Sequence, residues 1–457
     1  MTLSTKIIIG QAHGFHDASC SIIDTNGNIL FAEQSERKTG IKHDKSPYEI
    51  PEIFNYDNIT VFYEKPFFRQ LRQFISGENI RKITKNYDYY IEHHWAHAAS
   101  SYYTRPWKEE PVCVVIDSIG EFDTASIWYK KRKVWSLKYP CSLGLFYSSI
   151  TKYLGMIPNR DEHLTMALSS LSNYDNDLLT NMTDLIYSNL HKGFPDKIFD
   201  KYDNITIAST AQKCLENEIL KIMQRARKYS EYLCYSGGVA LNCVANTKIH
   251  SLFKDSWIFP NPGDAGASFG AALSVLDKYI KFEHNYLGTD IDRKINPKDV
   301  AKHLLKYGVC GIANGRGEFG PRALGNRSLI ADPRGNVGEK IYEIKTRNKW
   351  SPLAPIVLSE CFDKYFEGPK NKYMSYVCKV KNSTDHLKMI KHVDDTARVQ
   401  VIYPDSPSII RKILEEWYEF TACPILINTS LNNKWKPMVN NIEEINIFEK
   451  NNDIKVF

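Results

Sequence analysis

No two of the ten cysteines (Cys20, Cys113, Cys141, Cys214, Cys234, Cys243, Cys310, Cys361, Cys378, Cys423) form a CxxC pair, which argues against a cysteine zinc site. Most lie in apolar strand-like runs such as VCVVID and LCYSGG, where a reduced thiol behaves as a small hydrophobe. No stretch of the 457 residues approaches the unbroken apolar length of a membrane span, so no membrane partner is expected. The opening MTLSTKIIIGQAHGFHDASC lacks a cationic start, an apolar run and a small-residue cleavage site. A cytoplasmic location is expected, a host cytoplasm if the chain is viral. Low-complexity tracts and fixed-period repeats are also missing. Charge is not strongly one-sided: the formal net charge of +6 permits an anionic partner without demanding one.

What is present is a globular balance, 43% hydrophobic and 25% charged, in a chain long enough for two or three domains. IIIGQAHGFHDASCSIID followed by GNILFAEQSER reads as strand, turn and strand. PVCVVIDSIGEFDTASIWYKKRKVWSLKY repeats that grammar, with Asp117 ending an apolar strand and KKRK at a hairpin tip. LCYSGGVALNCVANTKI and DAGASFGAALSVLDKYI then pass from strand or turn into helix, and residues from about 143 to 228 carry helical spacing. The pattern lapses near EHNYLGTDIDRKINP, which places a boundary between domains 1–293 and 294–457. The whole is α/β. Its duplicated strand–turn units resemble the fold shared by sugar kinases, actin and Hsp70 (the ASKHA fold).

Four groups of residues invite chemistry. In EHHWAHAASSYY, His93 and His97 stand at i and i+4, so a helix puts both imidazoles on one face at the spacing of two metal ligands. The alternative is an amphipathic helix with histidines at a core edge, and a complete site needs carboxylates, for which Asp117 and Asp264 are candidates. In GFHDAS, His16 beside Asp17 suits a general base of near-neutral pKa, or else a turn capped by Asp17. Gly237 and Gly238 could bring amides to a phosphate, with Asn242 on the next helix; a plain tight turn is the competing reading. In the second segment, GRGEFGPRALGNRS carries Arg316, Arg322 and Arg327, followed by Lys345, Arg347, Arg398, Gln400, Asn428 and Ser430. Cations in glycine-bearing turns beside strand-end Asn and Ser suit a nucleotide better than a solvated surface.

With these residues in view, the order GFHDAS, EQSERKTGIKHD, FYEKPFFRQLR, IEHHWAHAASSYY, YPCSLGLFYSSITKYLG, YSGGVALNCVANTKI, PGDAGASFGAAL, EFGPRALGNRSLIADPR, DDTARVQVI and ILINTSLN resembles that of O-carbamoyltransferases, over almost the whole chain. The resemblance implies an ASKHA-type N-terminal domain and a YrdC-like C-terminal domain. ATP, with Mg2+, and carbamoyl phosphate would react in the latter to give carbamoyl adenylate and pyrophosphate. The carbamoyl group would pass to an acceptor hydroxyl at a divalent metal, Fe2+ in relatives, in the former. Carried over at matching positions, His93, His97, Asp117 and Asp264 become metal ligands, and His16 with Asp17 the catalytic pair. Gly237, Gly238 and Asn242 fall on the nucleotide side. Arg322, Arg327, Ser328, Lys345, Arg347, Arg398, Asn428 and Ser430 line the activation site. This chain departs from the family pattern at Leu164, Asn348, Ser351, Trp435 and Lys436.

Two acceptors are weighed. One is a small-molecule hydroxyl, as on a sugar, antibiotic or nodulation factor. The other is the hydroxymethyl of a modified pyrimidine in DNA, such as 5-hydroxymethylcytosine, which would have to be flipped from a duplex. The basic balance and the KKRK hairpin lean towards DNA modification. A tRNA threonylcarbamoyl-transfer enzyme would not be expected to show the full motif order in one chain, and hydrogenase-maturation relatives carry cysteine zinc motifs absent here. A non-catalytic nucleotide-binding ASKHA protein would need neither the four-ligand set nor the arginine-rich segment. A homodimer is compatible with the sequence, which does not fix it.

Overall fold

The computed structural model describes residues 6–54, 58–80, 82–335, 338–346, 350–351, 353–382 and 387–457. Arg347 and Asn348 lie outside the described residues. The chain divides into two units, one running to Ala32 and from Lys45 to Glu283, the other Glu33–Asp44 with His284–Phe457. The break at Glu283 precedes the expected 293 because Tyr286–Ile291 pairs with Gly315–Glu318 and so belongs to the second unit.

The first unit holds two five-stranded sheets. One contains β1 (Ile7–Ala12), β2 (Ser19–Asp24), β3 (Ile29–Gln34), β4 (Asn58–Phe62) and β5 (Tyr89–Tyr90) in the order β3-β2-β1-β4-β5. The other contains β6 (Val112–Gly120), β7 (Asp123–Tyr129), β8 (Arg132–Lys138), β9 (Tyr232–Ser236) and β10 (Asp255–Ile258) in the order β10-β9-β6-β7-β8. Read from the hairpin side, the two orders coincide. In each, the central strand is antiparallel to its hairpin partner and parallel to the next strand in (β1 with β2 and β4, β6 with β7 and β9). A parallel neighbour needs a crossover, which is why a hairpin-only sequence reading stops short of the full sheet.

The helices in chain order are α1 (Ser35–Thr39), which falls in the second unit, and, in the first, α2 (Pro66–Ile75), α3 (His93–Tyr102), α4 (Leu143–Tyr153), α5 (Glu162–Leu168), α6 (Asn176–Leu185), α7 (Asn204–Arg227), α8 (Cys243–His250) and α9 (Asp264–Leu276). Helices α4 to α7 fill the stretch expected to be helical. Helix α9 is the hub of the first unit. Its small residues let it lie against β1 and β2, where Ser19 of β2 donates to the Ala265 carbonyl at 2.7 Å. On its other side, a Cβ at Gly270 would stand 1.8 Å from the Ala96 carbonyl of α3, so only glycine permits this approach. That contact sets the spacing between the first turn of α9 and the histidines of α3.

The second unit is built on a sheet of order β12-β14-β20-β15-β19. Its strands are β11 (Tyr286–Ile291), β12 (Val309–Ala313), β13 (Gly315–Glu318), β14 (Arg327–Ala331), β15 (Ala354–Leu358), β16 (Phe366–Glu367), β17 (Cys378–Val380), β18 (Thr396–Ala397), β19 (Gln400–Ile402) and β20 (Ile425–Ser430). Its helices are α10 (Pro297–Tyr307), α11 (Gly338–Lys345), α12 (Phe362–Tyr365), α13 (Ile410–Thr421) and α14 (Ile442–Asn452). Leu329, Val357, Ile425 and Ile427 centre one hydrophobic core.

Candidate metal centre and activation site

His93 and His97 face the same way from the first turns of α3, as their spacing requires. Asp117 enters from β6 and Asp264 from the first residue of α9. All four side chains are buried, and one ligand atom from each lies within 4.8 Å of the other three. His93 Nε2 is 3.2 Å from Asp117 Oδ2, and His97 Nε2 is 3.2 Å from Asp264 Oδ1 and 3.1 Å from His93 Nε2. His97 Nδ1 donates to the Pro262 carbonyl at 3.0 Å, which leaves the Nε2 lone pair for the centre.

Electrostatics show what this cluster requires. Burial disfavours a charged His97, yet its hydrogen bonds to Asp117 and Asp264 outweigh that and raise its pKa to about 10. Burial likewise opposes ionisation of Asp117, but hydrogen bonds from His93 and His97 hold its carboxyl well below the usual range. The cluster therefore favours positive charge beside its buried carboxylates. Paired imidazoles and carboxylates, closely spaced and dry, are a donor set that fits a divalent cation.

His16 lies beside this group, with Nδ1 2.9 Å from Asp17 Oδ2 and Nε2 3.9 Å from Asp264 Oδ2. Its pKa is not near neutral. Burial lowers it, but the carboxylates of Asp264 and Asp17 carry it up to about 9. His94 faces away, 2.8 Å from the Ser126 hydroxyl, as a structural partner would.

The glycine pair serves the same centre instead of presenting amides to a phosphate. Gly237 N donates to the Pro262 carbonyl at 2.9 Å, and Gly238 N to Asp117 Oδ1 at 3.2 Å. Asn242 caps α8 through Ala245 N at 3.0 Å and exchanges hydrogen bonds with Gln212. Sequence reasoning missed Glu121. Its Oε1 accepts from Lys65 N at 2.7 Å and from His93 N at 3.3 Å, tying the first residue of α3 to the turn after β6. The signal was an acid just past a strand that already carries Asp117.

In the second unit, strand register gathers the expected residues at one edge of the sheet. Ser328 pairs with Ser430, Ala354 with Asn428, and Ile356 with Gln400. Lys345 Nζ reaches the Asn432 carbonyl at 2.7 Å and the Ser430 hydroxyl at 3.3 Å. Buried here without hydrogen-bond partners are Asn428 Oδ1 and Arg398 Nε. Such atoms are costly unless something fills them. Arg322 is partly exposed in the loop before β14. Arg327 is spent differently: its guanidinium donates to the carbonyls of Thr289 at 2.8 Å, Asn326 at 2.8 Å and Gly315 at 3.0 Å. Ser328 accepts from Gly325 N at 2.9 Å. Both therefore build the loop. Glu318, also missed, folds that loop by accepting from Leu324 N at 2.7 Å and Asn326 N at 2.9 Å. Trp435, one of the departures from the family pattern, takes a left-handed φ of 66°.

The chain matches the family model for the carbamoyltransferase N-terminus over residues 55–198 and 190–273, and that for the carbamoyltransferase C-terminus over 301–457. An uncharacterized protein of Synechocystis sp. is 30% identical, the match covering 94% of this chain and 92% of its own. Nodulation protein NolNO of Sinorhizobium fredii is 26% identical over 94% of this chain and 76% of its own. The 3'-hydroxymethylcephem-O-carbamoyltransferase of Amycolatopsis lactamdurans is 30% identical over 48% of this chain and 42% of its own. With both of its parts matched, the chain belongs to the carbamoyltransferase family and is a transferase enzyme.

Proposed function

We propose that the protein is an ATP-dependent O-carbamoyltransferase, and the buried four-donor cluster of His93, His97, Asp117 and Asp264 carries that reading. In this account the repeated sheets of the first unit are an ASKHA-type transfer domain, and the second unit is a YrdC-like activation domain. The sheet edge bearing Arg398, Asn428, Ser430 and Lys345 binds ATP and carbamoyl phosphate. Carbamoyl adenylate forms there, with pyrophosphate and phosphate released. Adenylation matters because a carbamoyl group is a poor electrophile until it gains a good leaving group. His93, His97, Asp117 and Asp264 would hold a divalent cation, which would supply Lewis acidity when bound. His16, steadied by Asp17, stands where it can take the proton of the attacking hydroxyl once the neighbouring carboxylates are neutralised.

For the acceptor we propose a small-molecule hydroxyl, a hydroxymethyl group on a ring above others, the group named in the cephem relative. The lean towards DNA rested on the basic balance and the KKRK hairpin, and two of the hairpin's four cations are paired within the chain. Lys131 pairs with Asp277, and Lys133 with Glu92 and Asp123. Cations so neutralised make a poor footprint for phosphates. Mass spectrometry of a hydroxymethylcephem and of hydroxymethylcytosine DNA, each incubated with protein, ATP, carbamoyl phosphate and a divalent metal, tests this. Carbamoylation of the small molecule supports the reading, and carbamoylation of the DNA alone overturns the acceptor assignment.

A further inference from the structure

Helix α2 is inside out. Its sequence, PFFRQLRQFI, is strongly two-faced, and the face turned to the protein is the polar one. Arg69 and Arg72 are 5% and 6% exposed and Gln73 is 3% exposed, whereas Phe67, Phe74 and Ile75 are 69%, 71% and 66% exposed. Phe68 and Leu71 complete the outward stripe. The inversion has a local cause. Glu64, just before the helix, binds Arg69, and Glu78, just after it, binds Arg72, so both cations are drawn inward. Positions 67, 71, 74 and 75 follow i, i+4, i+7 and i+8, the spacing of a stripe that a second helix covers.

We propose that this stripe is the centre of a two-fold interface with a second copy of the chain, the two α2 helices packing against each other. Area and charge favour that occupant. The five apolar side chains leave on the order of 500 Å² exposed, at the upper end of the largest patch on an ordinary monomer. A stable complex covers about 800 Å² per partner with an apolar centre and a polar rim, and this stripe supplies such a centre. A two-fold contact brings like against like, so any cation on the stripe would meet its own copy. Withdrawal of Arg69 and Arg72 into internal ion pairs leaves the stripe uncharged, as self-association requires. A lipid surface or an anionic polymer would instead favour outward cations beside the apolar side chains.

The test is light scattering on the full chain across concentration, with wild type compared with Phe67→Glu and Phe74→Glu. Both positions are exposed and lie outside the transfer machinery, and circular dichroism with divalent-metal content confirms folding. A wild-type dimer whose dissociation constant rises at least about 30-fold in each variant supports the proposal. A wild type that stays monomeric at about 100 μM overturns it, as does a dimer indifferent to both substitutions. Monomeric wild type that sediments with phosphatidylglycerol vesicles also overturns it and assigns the stripe to lipid.

Discussion

His97 Nδ1 donates to the Pro262 carbonyl at 3.0 Å, and that single bond decides which nitrogen of the imidazole faces His93, Asp117 and Asp264. The same carbonyl accepts from Gly237 N at 2.9 Å, so the turn before α9 and the turn after β9 are fixed to one oxygen. Removal of the His97 imidazole should therefore be severe. His97→Ala is expected to lower divalent-metal affinity by more than about 100-fold, read by chelator competition on stripped and reloaded protein. Unchanged affinity would dissociate the cluster from metal binding.

Glu121 acts one step further out. Its carboxylate accepts from the backbone of His93. Glu121→Ala should weaken metal binding by about 10- to 100-fold, while Glu121→Gln, which keeps an acceptor oxygen, should retain most of it. Equal loss in both variants would mean that charge, not the hydrogen bond, is what matters.

Gly270→Ala should destabilise the first unit. The new Cβ would meet the Ala96 carbonyl at 1.8 Å, and backbone on both sides cannot step aside as a side chain can. A loss of about 3 kcal/mol is expected in urea unfolding, the upper range for overpacking. Wild-type stability would show that α3 and α9 have room to part.

His13 should impose a pH dependence on folding. It is buried, 2.5 Å from the Tyr87 hydroxyl, and burial, then Lys85 and Arg69, lower its pKa to about 4. An unfolded histidine titrates near 6.5, so between those values the unfolded chain binds the extra proton. The stability due to a neutral His13 is thus complete above about pH 6.5 and is lost as pH falls towards 4, by at most about 3 kcal/mol. His13→Gln should flatten the denaturation profile by one proton in that window; an identical slope would contradict the assignment.

Much of the centre was legible because its information is local. A helical spacing of four brings His93 and His97 together and Asp264 opens a helix, whereas Asp117, read as the end of a strand, lies inside β6, which runs on to Gly120. The repeated hairpin grammar likewise announced the two sheets. What sequence could not show is where a donor is spent. Arg327 reads like a phosphate ligand until its carbonyl partners, which come from Thr289, Gly315 and Asn326, are seen. Gly237 and Gly238 read like a phosphate turn until Pro262 and Asp117 claim their amides. The pattern of α2 announces two faces, but which one is buried depends on Glu64 and Glu78. Among the described residues no helix is long and apolar enough to cross a membrane, as the hydropathy of the chain suggested.

The measurement that bears most directly on the central claim separates the two half-reactions in one sample. Wild type and His97→Ala are each incubated with ATP, carbamoyl phosphate, a divalent metal and a hydroxymethyl acceptor, and both AMP and carbamoylated acceptor are quantified by mass spectrometry. The account predicts AMP from both proteins only when carbamoyl phosphate is present, and carbamoylated acceptor from wild type alone. Carbamoylated acceptor from His97→Ala at the wild-type rate would contradict it.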